Sequence, residues 1–70
     1  MDESRDRTFV RRVAHDLNSL LAAILGSTAL LLEQLSFEHP GREEALEIRR
    51  ATMRCVELVG RLDAGTRTQS

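Results

Sequence analysis

Apolar residues recur at helical spacing in two long runs separated by one short break. Over the first run, take a wheel advancing about 100° per residue with His15 at its zero. Val10, Val13, Leu17, Leu20, Leu21, Ile24, Leu31 and Leu35 then fall within roughly 60° of the opposite pole. The spacing predicts one continuous helix from about Ser4, which suits an N-cap, to about Leu35, with no proline inside it. The apolar period stops at Ser36-Phe37-Glu38-His39-Pro40, which predicts a loop over about 36–40. Pro40 suits the first turn of the next helix, where its missing N–H is not needed. A second helix is predicted from about Gly41 to about Ala64, with Glu43 and Glu44 at the positive end of its dipole. Its stripe of Ala45, Ile48, Ala51, Thr52, Cys55, Leu58, Val59 and Leu62 is expected to meet the first helix. Beyond Asp63 the period is lost, and Ala64 to Ser70 should fray or lead into a linker. The fold class is therefore all-α, an antiparallel helical hairpin forming one unit over residues 1–70.

On this wheel His15 points to solvent, beside the Asp16 carboxylate and away from the apolar stripe. A helix-borne imidazole so placed can meet a visiting molecule. Size then changes the picture. With 70 residues, two helices leave one flank of each stripe uncovered, so dimerisation into a four-helix bundle is expected. The net charge is −1, with Arg5, Arg7, Arg11 and Arg12 balanced by later glutamates. That balance argues against a nucleic-acid partner. No run is read as long enough to span a bilayer, and the amino terminus lacks a signal-peptide layout, so no membrane contact and a cytoplasmic setting are expected. The single cysteine, Cys55, is expected to be a buried, inert thiol. No metal site is expected.

The stretch from Val13 through His15-Asp16-Leu17-Asn18-Ser19-Leu20-Leu21 to Gly26 resembles the phosphoacceptor box of sensor histidine kinases of the HisKA type. The leucine-rich end of the first helix, the His39-Pro40 loop, Glu47-Ile48-Arg49-Arg50-Ala51 and Leu58-Val59-Gly60-Arg61-Leu62 look like the remainder of the same dimerisation and phosphotransfer domain. The resemblance covers about residues 8 to 66. It implies a homodimeric four-helix bundle in which His15 accepts the γ-phosphoryl group of ATP and relays it to an aspartate on the receiver domain of a response regulator.

By the same resemblance Asp16 is a base or orienting group for the imidazole. Neighbouring helical side chains diverge, however, and Asp16 could instead pair with Arg12 four residues back. The position four after the histidine, which in the family holds the water of a phosphatase reaction, is Ser19 here, with Asn18 one residue earlier as a second candidate. Leu20 stands where many members carry a kinking proline. Ser19, Ala22, Ala23, Gly26, Ser27 and Leu30 continue the His15 face as a small, mildly apolar strip suited to a docking receiver helix.

The chain has no glycine-rich phosphate loop, no metal-carboxylate cluster and no lysine, so it holds no cofactor of its own in the family's manner. ATP with Mg is expected to act through a separate ATP-binding catalytic domain, further along a longer parent or on another chain. Two other readings compete. A single-chain histidine phosphotransfer bundle would carry lysine and glycine shortly after the histidine, and neither follows His15. A non-catalytic helical-hairpin dimerisation scaffold would keep the fold and leave His15 inert.

Overall fold

The computed structural model describes residues 3–68, with side chains over 5–65. Two helices, α1 (Glu3–Gln34) and α2 (Gly41–Thr68), pack antiparallel into a rod measuring 54 × 15 × 14 Å. Both ends differ from the sequence pattern. At the amino end α1 already includes Glu3, one residue before the predicted start. At the other end α2 runs on through Thr68, where fraying from Ala64 was expected. Continued i to i−4 bonding in α2 outweighs the loss of apolar period; Gln69 and Ser70 lie outside the described residues.

The seam between the helices is built from small side chains. Among the described residues Ala14, Thr28, Ala45, Thr52 and Val59 are the buried ones, and no large side chain is fully buried. Ala14, Leu21, Thr28 and Leu35 are spaced by sevens, as are Ala45, Thr52 and Val59. That is the repeat of helices packed ridge-into-groove along their length. The two buried hydroxyls are satisfied within their own helices: Thr28 Oγ1 donates to the Leu25 carbonyl at 2.9 Å and Thr52 Oγ1 to that of Ile48 at 2.7 Å.

The single stripes read from the sequence divide into two faces on each helix. Val10, Leu21 and Leu35 turn partly inward with the seam, whereas Val13, Leu17, Leu20, Ile24 and Leu31 are exposed. On α2, Ala45, Thr52 and Val59 are buried against α1, while Ile48, Ala51, Cys55, Leu58 and Leu62 are exposed. Cys55 is thus an exposed thiol in the single chain, correcting the buried one expected.

The loop is tied by named bonds. His39 N–H donates to Ser36 O at 3.1 Å, Arg42 N–H to His39 O at 3.1 Å, and Gly41 N–H to His39 Nδ1 at 2.9 Å. His39, with Pro40 just ahead of the helix, therefore satisfies the first donors of α2. The last turn of α1 has no basic residue. Arg42 reaches back instead, donating from one guanidinium nitrogen to Leu32 O at 3.2 Å and Leu35 O at 3.4 Å, and lies 4.5 Å over the Phe37 ring.

A further correction concerns α1 as a whole. By length and composition alone Arg5–Gln34 is long and apolar enough to cross a bilayer, its most apolar 18-residue window having a mean hydropathy of 1.3. Its neighbour argues against that use. Helix α2 lies along it and carries Arg42, Arg49, Arg50, Arg54 and Arg61, charges too costly to place in hydrocarbon without partners.

Candidate functional site

His15 occupies the half of α1 far from the loop, and its side chain is exposed. It lines an open cleft of about 430 Å³ together with Thr8, Arg11, Arg12, Ala14 and Asn18 from its own helix and Asp63 from α2. The cleft exists because of the seam. Ala14, one residue before His15, is 1% exposed and holds the helices in contact, so the antiparallel return brings Asp63 beside the histidine. Asp63 is half-buried and engaged in a polar interaction within the chain.

The residues singled out from the sequence fall on two flanks of the imidazole. Asn18 shares the cleft with His15. Asp16, about 100° further round the helix, lies on the opposite flank and is exposed. Among the described residues it makes no ion pair with Arg12, the pairing its spacing allowed. Ser19 Oγ donates to the His15 backbone carbonyl at 3.2 Å. The hydroxyl proton is thereby turned back along the helix, while the oxygen lone pairs remain exposed. Ala22, Ala23, Gly26, Ser27 and Leu30 form an exposed strip along the same side of α1. A Cβ built on Gly26 meets nothing within 4 Å, so nothing within this chain requires glycine there.

Three cleft residues are not singled out by the sequence pattern: Thr8, Arg11 and Asp63. Asp63 carried a usable signal, since it stands one helical turn after the seam residue Val59 as a charged side chain. Thr8 and Arg11 lie at seven and four residues before His15, positions that share its face. Among the described residues no group of three or more His, Cys, Asp or Glu is placed to hold a metal ion.

The fold and the site define an all-α hairpin that carries an exposed histidine on a long helix beside an open cleft. The family model of the His Kinase A (phospho-acceptor) domain matches residues 5–69, and the chain belongs to that family. Membership places it in histidine-kinase, two-component signalling as a phosphoacceptor and dimerisation domain. No curated protein and no solved structure compared with the chain gives a match.

Proposed function

We propose that His15 is the phosphoacceptor, that it takes the γ-phosphoryl group of ATP, and that it relays this group to an aspartate of a response-regulator receiver domain. The observation that carries the reading is the exposure of His15 in an open cleft, on a family match that spans its helix. In the first step the lone pair of one ring nitrogen forms a bond to the γ-phosphorus. The bond from phosphorus to the bridging oxygen breaks, its electron pair leaves with ADP, and the proton on the other ring nitrogen is released. Asp16 is the nearest carboxylate along the chain to receive that proton. In the second step the receiver carboxylate displaces the imidazole from phosphorus. Such transfers depend chiefly on placement and charge stabilisation, which a helix supplies better than a loop.

ATP and its Mg ion are substrate, delivered by a separate ATP-binding domain, and the setting is cytoplasmic. Ser19 and Asn18 are the candidates for positioning the water that, in a phosphatase reaction, attacks the aspartyl phosphate of the receiver and releases inorganic phosphate. The strip from Ser19 to Leu30 is the receiver's docking face.

The same reading makes the chain half of a homodimer. The accessible surface is 5682 Å², against about 4,400 Å² for a compact monomer of this mass. A stable interface buries about 800 Å² on each partner. Val13, Leu17, Ile24 and Leu31 on α1 and Ile48 and Leu58 on α2 form exposed apolar faces that a second copy would cover.

The test is to incubate the chain with radiolabelled ATP and an ATP-binding domain shown to recognise this bundle. Acid-labile label lost in His15→Gln is the expected result. A stable dimer that takes no label would instead identify a dimerisation scaffold.

A further inference from the structure

Resting on the phosphoacceptor reading, we infer that Arg11 and Arg12 form, with the Asn18 amide, an anion site that receives the phosphoryl group at His15. Both arginines line the cleft that His15 also lines. They stand four and three residues before His15, the spacings at which helical side chains share a face. Among the arginines with no other engagement, these two are the ones that line the cleft of His15. Arg42 is consumed by two carbonyls and the Phe37 ring, and Arg7 has an interaction of its own. Arg11 and Arg12 make no hydrogen bond or ion pair among the described residues. Arg12 even has Asp16 within reach at four residues and does not take it. It lines the cleft with His15 instead.

The chemistry needs such groups. As the ring nitrogen bonds to phosphorus and the leaving group departs, negative charge on the three peripheral oxygens must be held beside an imidazole and close to Asp16 and Asp63. Planar guanidinium donors match phosphoryl oxygens in geometry and stay charged. Asn18 adds a neutral amide donor from the α2 side of the cleft. The site is open to water, so its contribution is modest and falls with ionic strength.

A small phosphodonor tests this on the chain alone, without the ATP-binding domain. With phosphoramidate the ring nitrogen forms the bond to phosphorus, the P–N bond of the donor breaks, and ammonia leaves carrying the electron pair and a proton. The labelling rate of His15 is compared in the wild type, Arg11→Gln, Arg12→Gln, the double variant and the double lysine variant, with helicity checked by circular dichroism. In parallel, inorganic phosphate is titrated while the Asn18 side-chain amide is followed by NMR.

We expect a roughly three- to tenfold loss of rate for each glutamine variant, a weaker salt dependence in the double variant, and recovery of most of the rate with lysine. The phosphate-induced shift at Asn18 should vanish in the double glutamine variant and persist in His15→Gln. Equal labelling in wild type and double variant, with no phosphate shift at Asn18, overturns the anion site and leaves the phosphoacceptor reading standing. Phosphate shifts that depend on the two arginines, in a chain whose His15 takes no label from any donor, support the anion site and defeat the phosphoacceptor reading.

Discussion

The two ends of the hairpin use the same residue types for opposite purposes. At the loop end, His39 accepts the Gly41 N–H through Nδ1, and Arg42 is fixed to two carbonyls and an aromatic ring. At the far end, His15, Arg11 and Arg12 line an open cleft, and their side chains make no hydrogen bond or ion pair among the described residues. A histidine or arginine that already satisfies backbone groups is part of the scaffold. One that a stiff helix holds out unpaired remains available for chemistry with a partner.

The largest effect expected from this contrast is on labelling. His15→Gln should abolish acid-labile phosphate on the chain, while His39→Gln should leave it in place. Label retained in the first and lost in the second, measured by scintillation counting after ATP incubation, would reverse the assignment of the two ends.

Next in size is the outward face. Leu17 is 39% exposed in the single chain, so in a monomer Leu17→Glu would shift stability by no more than about 0.5 kcal/mol. Covered by a second copy, the same glutamate costs several kcal/mol. We expect the variant to be monomeric by light scattering and its wild-type parent to unfold at a concentration-dependent midpoint. A parent whose midpoint ignores concentration would mean that this face stays open.

At the loop end, Arg42→Ala removes charged donors from two helix-terminal carbonyls and should cost roughly 1 to 2 kcal/mol in urea unfolding. Labelling at His15 should be unaffected under conditions where the variant is folded. A loss of labelling in proportion would show that the ends are coupled.

The smallest effect is expected at Gly26, where an added methyl meets no atom of the chain. Gly26→Ala should stabilise the helix by about 1 kcal/mol. If the strip around it receives a receiver helix closely, the same change should slow phosphoryl transfer to the regulator while leaving the first labelling step alone. Unchanged transfer would remove Gly26 from the docking face.

Much of this was legible in the sequence. The apolar period located both helices and the break at Ser36 to Pro40, and the polarity around His15 placed it outward. The division of each apolar stripe into two faces was not legible, for a geometric reason. A wheel drawn at about 100° per residue drifts by about 20° in each heptad relative to helices packed with a seven-residue repeat. Over a helix of 32 residues that drift blurs two adjacent faces into one arc. It also hid that Ala14 and Thr28, neither of them large, would be the residues most enclosed on α1.

The sequence by itself determined two amphipathic helices, a turn between them and a histidine on the polar side, because these follow from local periodicity and backbone preference. Only the packing of α2 on α1 decided which apolar residues close the seam and which face outward. It also decided that Asp63 comes to stand beside His15, and that Arg42 is spent on the loop. Those outcomes depend on which atoms meet across the helix pair, and contacts between residues some fifty positions apart leave no periodic trace along a chain.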